Sequence, residues 1–278
     1  MKFGVREICD VTFKALQPGY LGNMEVAKGQ PVLFIDSAKT STIEGAATTV
    51  YAQGGKGNAR LIAWEGEKTL TFTVEDALLS PIGFAVLSGA GLYDIDKITN
   101  EKARVHCTKV TTLGADGKPD LEGDVPVTGA PMFVMSYEDG SITGMLTAGE
   151  SGSYGSLGTQ VFVDYYVEKA SVTELNIDAE NFAGFYYVEA STLFRRESDG
   201  KDLPAEIVFP RVKIQSNFTF TMASSGDPST FTFTMDAFPA YTFFDKTKKV
   251  LCAMQIINED AAATADLNPV LSENVKAE

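Results

Sequence analysis

The chain has one histidine, His106, among 278 residues, and three cysteines, Cys9, Cys107 and Cys252. A histidine-based metal site needs more residues than that. His106 also forms no dyad with the adjacent Cys107, because successive residues of a strand point to opposite faces. The cysteines are odd in number, far apart and without C-x-x-C spacing, so they read as reduced core residues, not a disulfide framework or a zinc site. No run reaches the ~18 apolar residues of a membrane span, and the opening MKFGVREICDVTFKAL lacks the apolar stretch of a signal peptide. The chain is therefore expected to stay in the compartment where it is made. Positive charge is scarce as well: 23 Lys and Arg stand against 37 Asp and Glu, a net of −14. That balance argues against a surface that grips nucleic acid by neutralising phosphates, and it also serves plain solubility.

Motifs for chemistry are missing too. Gly54-Gly55-Lys56-Gly57-Asn58 lacks the Gly-Lys-Ser/Thr ending that sets a lysine and a hydroxyl on phosphates, and the glycines from Gly152 to Gly158 have no helix to open; both read as loops. Asp116, Asp120, Glu122 and Asp124 crowd one turn region, but their spacing is not that of an EF-hand and Lys118-Pro119 interrupts the ligand ladder, so a solvated acidic hairpin is expected. Glycoside hydrolysis needs only two carboxylates, yet nothing selects a pair. Trp64, Tyr165, Tyr166, Tyr186 and Tyr187 form either core and interface, the favoured assignment, or a platform for sugars or bases. Asn217-Phe218-Thr219 is a glycosylation acceptor only in a secreted chain. No catalytic, cofactor-binding or metal residue is predicted, and no cofactor.

What the chain does have is 44 % hydrophobic residues, enough for a real core, arranged with a period of two. TLTFTV at 69–74 sets Leu70, Phe72 and Val74 on one face and threonines on the other. FTFTM occurs at 218–222 and again at 231–235, and the two copies predict an antiparallel hairpin. Further strands are expected at 31–35, 60–64, 104–110, 131–136, 160–167, 184–190, 206–209 and 249–257. One short helix is specified by Ser80 as cap, Pro81 at the first position, Ile82 to Leu87, and Gly89 and Gly91 at its end. Residues 36–58 and 138–159, small, polar and Gly-rich, read as irregular excursions, and 259–278 as an acidic, loosely ordered tail. Many short strands with turn signals predict an all-β antiparallel barrel or sandwich over 1–258.

A threonine-faced, acidic β chain with one short helix resembles the tail tube proteins of tailed, above all contractile-tailed, bacteriophages. The likeness rests on GNARLIAWEGEKTLTFTVEDALLSPIGFAVLSGAGL at 57–92, on FPRVKIQSNFTFTMASSGDPSTFTFTMDAF at 209–238, and on the excursion at 36–58, which sits where the family has a loop to the neighbouring ring. The chain is longer than a minimal tube subunit, so 111–159 is expected as an insertion, a surface hairpin or small lobe. The resemblance implies a structural subunit with no enzymatic activity, made in the host cytoplasm and built into the virion tail. It implies six-fold rings that stack around a lumen through which DNA is ejected without specific binding, with a tail sheath and a tape-measure protein as further partners and no membrane. The ring-stacking interface is expected at Asp36, Lys39, Glu44, Lys56, Asn58 and Arg60. The alternatives are a carbohydrate- or receptor-binding β module, a capsid decoration or tail terminator protein, and last a glycosidase.

Overall fold

The alternation at 69–76 becomes the inner edge of the core: Phe72 and Val74 are fully buried, while Thr71, Thr73 and Glu75 on the other face are not. A computed structural model describes residues 2–258 apart from 6, 22–23, 95–101, 150, 171, 178, 220–221, 223 and 226–229. In chain order the elements are β1 (Phe3–Val5), β2 (Asp10–Ala15), β3 (Gly19–Leu21), β4 (Met24–Val26), β5 (Pro31–Ile35), β6 (Ala38–Gly54), β7 (Ala59–Asp76) and α1 (Pro81–Ser88). There follow β8 (Gly91–Asp94), β9 (Ala103–Thr112), β10 (Phe133–Glu138), β11 (Ser141–Leu146), β12 (Gln160–Lys169) and β13 (Thr173–Asn176). The last are β14 (Phe185–Arg196), β15 (Asp202–Ile214), β16 (Phe231–Ala237) and β17 (Ala253–Ile256). Strand accounts for 57 % and helix for 3 %, so the chain is all-β as expected.

The chain divides into two units, residues Met1–Leu92 with Leu175–Glu278, and Tyr93–Glu174. In the first, nine antiparallel strands follow the order β5-β2-β14-β15-β16-β7-β6, with β1 added to β14 and β17 to β15. This sheet is folded over. β2 and β16 lie three places apart, which would separate them by about 14 Å in a flat sheet, yet the rings of Phe13 and Phe233 are 5.9 Å apart and Phe72 stacks on Phe209 at 4.8 Å. The fold line is β15, which pairs with β14 over most of its length and with β16 only at Val212–Ile214. The result is a sandwich whose core joins Phe13, Phe72, Phe209, Ile214, Phe233 and Met235.

The second unit is a four-stranded sheet, β11-β10-β12-β9, over a core of Leu113, Val134, Val161, Val163, Tyr165 and Val167. Residues 111–159 lie within it. Two-stranded sheets pair β3 with β4 and β8 with β13.

The helix forms as its residues specify. Ser80 Oγ accepts from the Gly83 N–H at 2.9 Å, and Gly89, left-handed at φ 76°, donates to Ala85 O at 2.9 Å. A Cβ at Gly89 would lie 2.4 Å from the Phe182 carbonyl carbon. Gly89→Ala is therefore expected to cost about 1–3 kcal/mol in chemical denaturation, from the backbone conformation and the clash together.

Three expectations differ from the structure. The hairpin partner of β16 is the Val212–Ile214 end of β15, not the first FTFTM; Phe218, Thr219 and Met222 are outside any strand, and 220–221 lie outside the described residues. Residues 138–159 are not irregular throughout, since β11 occupies Ser141–Leu146. Residues 36–58 are not a loop but mostly strand, as described below. The tail at 259–278 lies outside the described residues.

At the turn after β14, Arg196, only 6 % exposed, donates from Nε to Asp199 Oδ1 at 2.7 Å and from Nη2 to Asp199 Oδ2. These bonds hold the Asp199 carboxyl down at about 2, against 3.8 ordinarily. A depressed carboxyl contributes stability above its unfolded value and loses it as pH falls through the folded one, so this contribution fades between about pH 4 and pH 2. Asp199→Asn is expected to lower the thermal midpoint near neutrality, with the gap to the wild type closing across that window.

Candidate functional site

β6 and β7 pair antiparallel from Ala38↔Asp76 at the root to Gly54↔Ala59 at the tip, with register shifts at Ala38/Thr40, Ala47/Thr49 and Ala52/Gln53. Over Thr71–Asp76, β7 also pairs with β16, so the root belongs to the sandwich. Beyond Thr71 only the β6–β7 ladder continues, a two-stranded ribbon in which residues 45–51 and 55–69 are all exposed. About eleven residues per strand at roughly 3.3 Å each extend it some 35 Å from the body. Such a ribbon is marginal in water by itself.

Its local chemistry explains why it forms. Thr48-Thr49-Val50-Tyr51 and Leu61-Ile62-Ala63-Trp64 are β-formers, and the pairs Val50↔Trp64 and Ala52↔Ile62 set Val50, Ile62 and Trp64 on one face. These three are 62 %, 54 % and 53 % exposed. The Arg60 guanidinium lies 4.2 Å over the Tyr51 ring. The tip turns through Gly55, Gly57 and Asn58 in left-handed conformations (φ 80°, 87° and 50°), closed by an Asn58 N–H to Gly55 O bond of 3.2 Å. The Gly-Gly-Lys-Gly-Asn run is thus turn chemistry.

The six residues expected at the interface are spread along this arm. Asp36 precedes it and Lys39 sits at its root; Glu44 faces Thr71 where the arm leaves the body; Lys56, Asn58 and Arg60 gather at the tip. Between Glu44 and Glu65 the only charged residues are Lys56 and Arg60, so the distal arm is a cationic island in a chain of net charge −14. The exposed apolar group of Val50, Leu61 and Ile62 escaped the sequence reading, although β-branched runs flanking a Gly-Lys-Gly-Asn turn are a hairpin signal.

The root presents a second ordered surface. Three cross-strand rows, Thr40–Glu75–Thr232, Thr42–Thr73–Thr234 and Glu44–Thr71–Asp236, lie on the face of β6, β7 and β16 turned away from the core. Six hydroxyls and three carboxylates stand there, with Lys39 acting on Glu75 and Lys213 of β15 paired beside Asp236. Thr230 donates to Glu75 at 2.6 Å, which holds that carboxyl below its usual range, and Gln215 Nε2 donates to Asp236 at 3.0 Å.

The remaining candidates are structural. His106 Nε2 lies 3.0 Å from Asp164 on the outer face of β9, while Cys107 turns inward. Asp124 accepts from Tyr165 at 3.1 Å and Lys169 at 2.8 Å, Glu122 pairs with Lys109 at 3.0 Å, and Asp116 and Asp120 accept backbone N–H groups. Burial, then the Asp124 bond, pushes the Tyr165 hydroxyl to about 12. Tyr165 and Tyr187 are each 2 % exposed, so the tyrosine pairs make no open platform. Among the described residues no group of three or more His, Cys, Asp or Glu side chains is placed to hold a metal, and no helix is long and apolar enough to cross a membrane. All three cysteines are free.

The chain belongs to the YomU/Tube protein family, which matches residues 23–251. That membership agrees with the likeness to phage tail tube proteins and suggests a structural component of the virion tail. No match was found among curated proteins.

Proposed function

We propose that this chain is a tail tube subunit that closes into rings, six to a ring, which stack into a tube conducting DNA during ejection. The observation behind this is the arm: two strands with both faces and both outer edges in water, leaving a family member's sandwich. A ribbon of this kind is stabilised when other copies cover it, and a head-to-tail contact repeats without limit along an axis. The hydroxyl-acid face of β6, β7 and β16 supplies the lumen wall. Its carboxylates repel phosphates, so a duplex slides past without the cationic contacts that would hold it. The sheet edges β5 and β6 are the elements that neighbouring subunits would consume in closing a ring. The work is mechanical, with no reaction catalysed and no cofactor. A sheath outside and a tape-measure protein inside are the remaining partners of this reading.

Negative-stain electron microscopy of the purified chain at rising concentration tests it. Hollow tubes or stacked rings of uniform width are expected; persistent monomers would overturn it. Trp64 supplies a second readout, since it is the only tryptophan and 53 % exposed on the arm. Its emission is expected to shift to shorter wavelength, and its quenching by iodide to fall, as assembly proceeds. An unchanged spectrum in assembled protein would mean that the arm stays in water.

A further inference from the structure

At the end of the sheet where Ala15 of β2 pairs with Tyr186 of β14, a pocket of about 500 Å³ opens beside the β3–β4 hairpin. Leu16, Leu21, Val26 and Val32 form its apolar walls. Two further lining side chains, Tyr186 and Arg211, are polar and unsatisfied. Burial pushes the Tyr186 hydroxyl up to about 12, and no hydrogen bond reaches it among the described residues. The Arg211 guanidinium lies 4.2 Å over the Phe185 ring and 5.9 Å from that of Phe238, and no carboxylate pairs with it among the described residues. Arg211 is also the one charged residue of the lining, in a chain of net charge −14. Such a pocket selects an occupant that is both apolar and anionic.

The chain carries a segment of that composition. Residues 259–278 hold Glu259, Asp260, Asp266, Glu273 and Glu278 against the single cation Lys276, and Leu267, Val270 and Leu271 stand between Asp266 and Glu273 around Pro269. The proline limits the freedom that docking must remove. The segment is also within reach. The Ile257 N–H is tied to Pro204 O at 2.8 Å, and Pro204 and Arg211 are seven residues apart on β15, about 23 Å at roughly 3.3 Å per residue. The ten residues 258–267 span up to about 33 Å, and a tether of this length holds the segment near the pocket at about millimolar effective concentration. We propose that residues 267–273 dock in this pocket of their own chain. Leu267, Val270 and Leu271 cover Leu16, Leu21 and Val32, Arg211 pairs with a flanking carboxylate, and Tyr186 donates its hydroxyl to the segment. The contact lies within one subunit, so it stands apart from the tube reading.

Photo-crosslinking in the whole chain tests it. Leu271→p-benzoylphenylalanine is expected to give, on irradiation, a product of monomer mass whose peptides join position 271 to residues 15–32 or 184–186. Arg211→Glu in that chain is expected to lower the yield about ten-fold or more, as is Asp266→Lys with Glu273→Lys, because like charges then meet. All three changes together restore opposite charges and should return the yield to within about three-fold of the unaltered chain. Gly184→Leu blocks the pocket without touching a charge. A Cβ there meets only Tyr186, at 3.6 Å, which is ordinary contact, so this variant should keep the wild-type circular dichroism while its crosslink is lost. Crosslinks to other surfaces, or a yield that ignores both Arg211→Glu and Gly184→Leu, would overturn the proposal. A product of dimer mass alone would overturn it too, since the occupant would then come from a neighbouring copy.

Discussion

Replacing residues 46–69 by Asn-Gly, which joins Gly45 to Leu70 through a two-residue turn, is expected to leave a folded monomer that forms no tubes at any concentration. Gly45 and Leu70 face each other across the ladder, so a two-residue turn closes the shortened hairpin at its natural register. Apart from Ala52 and Gly54, half-covered within the ribbon, the deleted residues are exposed, and none belongs to the Phe13–Phe72–Phe209–Phe233 core, so the body's stability should change little. What disappears is the ribbon whose faces and edges await other copies. Size-exclusion chromatography with light scattering, beside electron microscopy of both proteins, decides the matter. Tubes from the shortened chain would show that stacking proceeds through the body alone and would retire the arm as the functional site.

Phe72→Ala is expected to have the largest effect on stability, about 3–5 kcal/mol, because a fully buried ring is lost from a core that can only partly collapse. Phe72 stacks on Phe209 at 4.8 Å across the two layers, so its removal loosens the closure of the sandwich as well as one strand. Phe72→Leu keeps most of the volume and should cost about 1.5 kcal/mol or less. Guanidinium unfolding followed by far-UV circular dichroism measures both, and since the second unit has its own core, its transition should stay where it was. A loss below about 1 kcal/mol for Phe72→Ala would mean that the layer contact is easily replaced.

Much of the body was legible beforehand because its signals are local. The six residues TLTFTV declare which side of β7 is buried, Ser80-Pro81 and Gly89 bracket α1, and Pro31–Ile35 emerges with the bounds expected. The arm was misread for an equally local reason. Alanine, threonine and glycine from Ala46 to Gly54 have no strong apolar alternation, and an element exposed on both faces has no core to impose one. Composition alone therefore resembles a loop, and only the ladder to Ala59–Lys68 makes it a strand. The FTFTM repeat misled in the opposite sense: its second copy is β16, but likeness of sequence does not select a partner, and β16 aligns instead with β7 and with the end of β15.

By itself the sequence determined that this is an acidic, all-β chain without a histidine-based metal site, with one capped helix and threonine-faced strands, since composition, caps and period two are properties of neighbouring residues. Only the tertiary structure decided that β15 folds the sheet into two layers, that six threonines and three carboxylates from three strands form one face, and that residues 45–70 leave the sandwich as a bare two-stranded arm. Those relations join residues separated by up to about two hundred positions, and register, not proximity in the chain, sets which of them meet.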